Sequence, residues 1–244
     1  MKVLILSAGK GSRLKLKLPK SLVEIDYRNM LEIQIEQLRL AGIDSNDITV
    51  ITGYKKYLFK QYGLMTVDNK NYGSTGQVES ISRGSHYSNE KEVVVIYGDI
   101  LFEAKLIQDL MLLKSNFVVP SFKHFRELWQ DRGDNNFDDL ETFIQDKNNN
   151  ILEIGNKIKD IDSTNGQFMG ILYFNNYMFS NFLNWYKEYK DIHNKKSANK
   201  IQTTPFLNYL ICKNINIKTL NYEGYFRELD NEADLELIRK SIIL

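Results

Sequence analysis

Between Leu6 and Lys20 the chain runs Leu6, Ser7, Ala8, Gly9, Lys10, Gly11, Ser12, Arg13, with Pro19 and Lys20 a few residues on, an order suited to holding a multiply charged anion. Gly9 and Gly11 carry no side chain to keep an anion away from backbone N–H groups. Lys10, Arg13 and Lys20 supply the positive charge needed when a triphosphate is cleaved and its pyrophosphate departs. A dinucleotide-binding loop would place its third glycine where this chain has Leu14, and the stretch does not close in the Gly-Lys-Ser/Thr of a P-loop. The expected chemistry is therefore a reaction that releases pyrophosphate, with Lys20 and Arg13 as the candidate catalytic groups.

Such a reaction calls for a divalent cation, and Mg²⁺ takes one or two carboxylates together with phosphate oxygens and water. Asp99 follows Gly98 at the end of the most apolar segment, residues 92–97, and is the first candidate ligand. In the stretch 225–235, Glu228 and Asp230 alternate so as to point the same way in an extended chain, and Asp230 is the second. Each has a plainer reading: Asp99 as a turn residue after glycine, Asp230 as a helix N-cap with Asp234 in the first turn. His86, His124 and His193 have no metal-site spacing, and no Ser/His or Cys/His arrangement suggests a covalent intermediate, which favours direct in-line attack.

These groups need a scaffold. The 244 residues bury a sizeable core, and 32 basic against 31 acidic residues, scattered along the chain, argue against a nucleic-acid partner. The single cysteine, Cys212, lies in an apolar segment and is expected to pack there. No segment is long enough to span a membrane, none resembles a signal peptide, and a cytoplasmic protein is expected. Apolar runs predict strands at 3–6, 48–52, 92–97 and 116–120, an extended segment at 21–25, and helices at 30–41, 74–85 and 106–113. Further strands are expected at 141–144, 151–154, 168–174 and 217–220, with helices at 176–191, at 203–214 and from Glu232, and 190–200 reads as a mobile loop. The pattern implies a three-layer α/β fold on a mostly parallel, mixed sheet, residues 1–244 forming one domain with a β-rich insertion at 121–174. The C-terminal helices offer a face for a homodimer.

The opening LSAGKGSRL with Pro19 and Lys20, GDILF at 98–102 and ELDNEADL at 228–235 resemble, in order, the motifs of the sugar-nucleotidyltransferase-like family. The resemblance implies a Rossmann-like nucleotidyltransferase fold, a triphosphate held by Gly9, Gly11 and Arg13, reacting phosphates met by Lys20, and Mg²⁺ held by Asp99 and Asp230. DDLETF at 138–143, EIGNKI at 153–158 and GQFMGILYF at 166–174 resemble its cytidylyltransferase branch, which uses CTP and small phosphorylated acceptors such as phosphoglutamine, 2-aminoethylphosphonate and phosphocholine. By that resemblance Lys157 approaches the acceptor phosphate, with Trp129, Arg132, Glu141 and Gln167 around its organic part. The nucleotide would touch Leu6, Ala8, Lys10, Ser12, Gly53, Tyr54, Gly73, Ser74, Gln77 and Gly98 as well. A glycosyltransferase using a nucleotide-sugar and a non-catalytic nucleotide-binding subunit remain as alternatives, the first disfavoured by the paired cations Arg13 and Lys20, the second by the presence of both aspartates.

Overall fold

The computed structural model describes residues 1–11, 14, 17–131, 140–158 and 160–242. Along the chain run β1 (Lys2–Ser7), α1 (Met30–Leu40), β2 (Ile48–Thr52), β3 (Met65–Asp68), α2 (Gln77–Ser82), β4 (Val93–Tyr97), β5 (Ile100–Phe102) and α3 (Ala104–Leu112). The middle holds β6 (Phe117–Val118), β7 (Ser121–Phe122), α4 (Phe125–Asp131), β8 (Glu141–Gln145), β9 (Ile151–Lys157), β10 (Gln167–Phe168) and β11 (Ile171–Phe174). The chain ends with α5 (Met178–Ile192), α6 (Lys195–Ala198), α7 (Thr203–Cys212), β12 (Asn221–Tyr222), β13 (Phe226–Glu228) and α8 (Glu232–Ser241).

The main sheet has the order β3-β2-β1-β4-β11-β6. β1 pairs in parallel with both β2 and β4, setting Leu6 opposite Tyr97 and Ser7 opposite Thr52, while β11 runs antiparallel between β4 and β6. Because successive strand residues face opposite ways, Val3 and Ile5 join the cluster containing Leu31 and Leu38 of α1 and Leu106 of α3, and Leu4 joins that of Val78, Phe179 and Phe206 on the other side. That alternation makes three layers, and each fully buried aliphatic side chain contributes about 1.5–3 kcal/mol. β4 is buried without interruption from Val93 to Ile96, as a central parallel strand must be. β11 returns to this sheet from within the stretch read as an insertion, while β7, β10 and β12 form a small sheet, and β8 and β9 a hairpin. β5 pairs with β13, bringing the C-terminal acidic motif beside Asp99.

Local boundaries differ from the sequence reading for identifiable reasons. Residues 20–22 form a single 3₁₀ turn after Pro19, whose ring fixes φ near the helical value, instead of an extended segment. Neither Ser74 nor Thr75 caps α2; both hydroxyls donate to the Asn71 carbonyl and tighten the preceding turn, so the helix starts at Gln77 with Gly76 at its N-cap and ends at Ser82. The strand expected over 168–174 is split by Gly170, which sits at φ +69°. Only Lys218 of the 217–220 stretch makes a bridge, and the strand proper is β12. The expected mobile loop at 190–200 contains the end of α5 and the whole of α6. Cys212 is exposed: the buried positions of α7 are 203, 204, 206, 207 and 210, and Cys212 falls off that stripe.

Candidate active site

At the C-terminal edge of β1 and β4 the chain brings together three groups that lie far apart in sequence. Lys20 Nζ donates to Asp99 Oδ2 and to Asp230 Oδ1, each at 2.8 Å. Gly11 has φ +59°, and a Cβ there would lie 2.8 Å from Lys20 Cγ, so the second loop glycine is needed both for its backbone and to make room for the lysine stem. Ser12 and Arg13 lie outside the described residues.

Asp99 is fixed through its backbone. The Gly98 N–H donates to the Leu6 carbonyl at 3.0 Å, and the Leu229 N–H donates to the Asp99 carbonyl at 2.8 Å. A Cβ on Gly98 would fall 2.5 Å from Ser7 Oγ, so the crossing of these two chain segments requires glycine. Gln34, buried inside α1, donates through Nε2 to the carbonyls of Tyr97 and Ile100 at 2.8 and 2.7 Å, clamping the turn that carries Asp99 from both ends. Asp230 follows β13 and is not the helix cap; that role belongs to Asn231, whose side chain accepts from the Ala233 and Asp234 N–H groups. Asp234, also buried, accepts from the N–H groups of Asp230 and Asn231 at 2.8 and 3.0 Å, and so positions the aspartate four residues before it.

The electrostatics follow from that geometry. Burial alone would lower the Lys20 ammonium, but Asp99 and Asp230 outweigh it, and the group is held well above its ordinary range. Burial, with the Asp99, Glu228 and Glu141 carboxylates nearby, likewise keeps the Tyr97 phenol protonated. Among the described residues no set of three or more His, Cys, Asp or Glu is arranged as a metal cage. The two hard carboxylates converging on one cationic point do fit a divalent ion that takes its remaining ligands from phosphate and water.

Three cavities adjoin. One of about 300 Å³ is bounded by Leu6, Gly9, Gly11, Lys20, Asp99 and Asp230, with the buried serines Ser7 and Ser21 in its wall; neither serine hydroxyl has a hydrogen-bond partner among the described residues. A second, about 190 Å³, continues from it past Ala8 to Tyr72, Thr75, Gly76, Gln77 and Gln202. A third, about 100 Å³, lies across Tyr97 and Glu228 and is lined by Glu141 and Gln167. Gln167 is held from behind by buried Trp129, whose Nε1 donates to its Oε1 at 3.0 Å.

The expected residues thus divide. Leu6, Ala8, Gly9, Gly11, Lys20, Gln77, Gly98 and Asp99 front the first two cavities, and Glu141 and Gln167 the third. Lys10 is exposed beside the loop, as are Gly73 and Ser74 on the turn before α2, and none of the three is among the residues fronting these cavities. Gly53 and Tyr54 support the loop from outside: the Tyr54 N–H donates to the Ala8 carbonyl at 3.0 Å, and a Cβ on Gly53 would meet the same carbonyl at 2.8 Å. Lys157 is exposed opposite Glu141 in the β8–β9 register and is not among the residues fronting the third cavity. Arg132 lies outside the described residues. The sequence reading missed Gln34, Ser7, Ser21, Tyr97 and Gln202. For Gln34 a signal existed: it stands three residues after Leu31 and four before Leu38, on the buried face of α1.

A mostly parallel sheet with paired carboxylates and a lysine at the C-terminal edge of its central strands, beside a glycine loop, is the arrangement of a nucleotidyltransferase of Rossmann-like fold. The chain belongs to the MobA-like NTP transferase domain family, matched over residues 3–150. It is 29% identical to the CTP:phosphoglutamine cytidylyltransferase of Campylobacter jejuni over 253 aligned positions, covering 97% of this chain and 98% of that protein. The fold is shared with a CTP:phosphocholine cytidylyltransferase of Streptococcus pneumoniae (TM-score 0.72, 20% identity, 98% of this chain and 97% of the other). It is shared equally with a UDP-glucose pyrophosphorylase in complex with UDP-glucose (TM-score 0.75, 17% identity, 98% and 97%). Among the described residues no helix is long and apolar enough to cross a membrane.

Proposed function

We propose that the chain is a Mg²⁺-dependent cytidylyltransferase that moves CMP from CTP to a small phosphorylated acceptor and releases pyrophosphate. The observation that carries this reading is Lys20 Nζ fixed 2.8 Å from both Asp99 and Asp230 on the wall of the glycine-loop cavity, with the third cavity opening across Tyr97 and Glu228. Near-full-length similarity to the Campylobacter jejuni enzyme favours phosphoglutamine; a phosphonate of similar size and phosphocholine are further candidates, and surface-polysaccharide decoration is the setting inferred from the resemblance of the middle motifs.

In this mechanism an anionic oxygen of the acceptor attacks the α-phosphorus of CTP. One P–O bond forms, the bridging bond to the β-phosphate breaks, and pyrophosphate leaves with the electron pair. The attacking oxygen is already deprotonated, so no general base is needed, and positioning with charge neutralisation carries the rate. Asp99 and Asp230 are the residues that would hold Mg²⁺, whose chemistry is to neutralise phosphate oxygens. Gly9 and Gly11 leave room for the triphosphate against the backbone, Lys20 and Arg13 meet its charge, and Gln34 and Asp234 keep the two aspartates in place. Glu141, Arg132 and Gln167, the last backed by Trp129, would orient the acceptor's organic end, with Lys157 approaching its phosphate.

The test is pyrophosphate release from each of the four NTPs with phosphoglutamine, 2-aminoethylphosphonate and phosphocholine, with Mg²⁺ and with EDTA. Release from CTP with one acceptor, abolished by EDTA, is expected. Release only from UTP with a sugar 1-phosphate would replace this reading with a sugar-phosphate nucleotidyltransferase.

A further inference from the structure

The second cavity is lined in part by Gln202, in a segment, residues 199–203, beyond the part of the chain that matches the family. That segment is docked closely: the Gly76 N–H donates to the Asn199 carbonyl at 2.8 Å, and a Cβ on Gly76 would lie only 2.1 Å from the Ile201 carbonyl oxygen. The Thr203 N–H donates to Gln77 Oε1 at 3.2 Å, and Gln202 donates through Nε2 to the Lys200 carbonyl at 3.2 Å. Each amide thus has one of its two groups engaged, Gln77 beside the segment and Gln202 on an exposed side chain. Gln77 has its oxygen occupied and keeps its NH₂ as a donor; Gln202 has its NH₂ engaged and keeps Oε1 as an acceptor. Gln202 also stands at the N-cap of α7, yet its side chain makes no cap hydrogen bond. Serine, threonine, asparagine or aspartate would serve a cap better, so the helix start gives no reason for a glutamine here.

We propose that Gln202 is a base-specificity residue of this enzyme, its Oε1 accepting from the exocyclic amino group of cytosine while the Gln77 NH₂ donates to a ring acceptor of the same base. Cytosine offers an amino donor beside the N3 and O2 acceptors; uracil turns an oxygen to the position of the amino group, setting acceptor against acceptor. The inference rests on the cytidylyl reading, which names the nucleotide but no residue that selects it.

Equilibrium titration of the whole protein with CTP and with UTP, in Mg²⁺ and without acceptor, tests it. Wild type is expected to bind CTP more tightly. Gln202→Ala should reduce the CTP:UTP affinity ratio about tenfold, the size of one hydrogen bond of about 1.4 kcal/mol. Gln202→Glu, which keeps an acceptor, should retain the preference, and Gln202→Lys, which offers only donors, should move it towards UTP. A purely structural role would weaken both nucleotides together. Wild type without a CTP preference would overturn the cytidylyl reading itself. Wild type with that preference, and all three variants with its ratio, would overturn the role of Gln202 and leave the reading intact.

Discussion

Lys20, Asp99 and Asp230 are paired with one another and their turns are held through the backbone: their side chains are only 15%, 22% and 14% exposed, and Gln34 and Asp234 fix the turns beneath them. At the other end of the cleft, Glu141 and Lys157 face each other on an irregular two-stranded hairpin, Lys157 is exposed, and only Gln167 is buried and braced. The first arrangement suits a reaction common to many substrates, in which stray movement of a charge is costly. The second suits recognition, where contacts can change without disturbing the chemistry. If that division is real, substitutions at the two ends should separate into losses of turnover and losses of acceptor affinity.

The largest effect is expected from Lys20→Ala. It removes a preorganised cation from the reacting phosphates, and turnover should fall by about 10²–10³, as when one transition-state donor is lost. It also leaves Asp99 and Asp230 facing each other without the cation they share, so thermal stability should fall without Mg²⁺ and recover more than wild type does when the ion is added. The sign with pH follows from the raised Lys20. Its stabilising contribution is fully present below the ordinary lysine value of about 10.4 and is lost only as pH rises through the higher folded value, so denaturant midpoints should show no loss from this cluster between roughly pH 6 and 9. Near-normal pyrophosphate release by Lys20→Ala would remove the lysine from the mechanism.

A smaller and differently placed effect is expected from Gln167→Leu, at the braced corner of the acceptor end. The substitution keeps the volume but takes away the oxygen that receives the Trp129 N–H, a hydrogen bond inside the protein worth about 1 kcal/mol or somewhat more. The acceptor KM should rise about tenfold, while the CTP KM and the turnover at saturating acceptor stay near wild type. A fall in turnover with unchanged acceptor KM would show that the two ends are not separable and that Gln167 belongs with the Lys20 cluster.

The same contrast separates what the sequence discloses from what it conceals. Gly9, Gly11, Lys20 and Asp99 are legible because each sits next to the strand that places it, within β1 and its loop or directly after the apolar β4. Asp230 is legible as an acid of the C-terminal motif, but its helix start is capped by Asn231, a choice between neighbouring residues that only the backbone decides. Gln202 reaches its cavity from a stretch read as loop followed by helix, through the approach of residues 199–202 to Gly76, and no local pattern encodes that meeting. Lys157 is the opposite case: its motif suggests a phosphate contact by resemblance, and only its place on β9 shows that the side chain stands in solvent.

Lys157→Ala therefore carries the smallest expected effect and bears most directly on the contrast. An exposed ammonium is screened by water and salt, and such charges contribute about 0.2–1 kcal/mol. If Lys157 does approach the acceptor phosphate, its removal should raise the acceptor KM by no more than about fivefold at low ionic strength, and the difference from wild type should shrink as salt approaches 0.5 M, where the screening length falls to about 4 Å. CTP parameters and stability should be unchanged. A loss greater than 100-fold would mean that the hairpin closes over bound acceptor and buries this lysine, making the acceptor end as rigid in the working complex as the Lys20 cluster already is. A null effect at low salt would leave phosphate recognition to other cations of the site and confine the acceptor contacts to Glu141, Gln167 and their support.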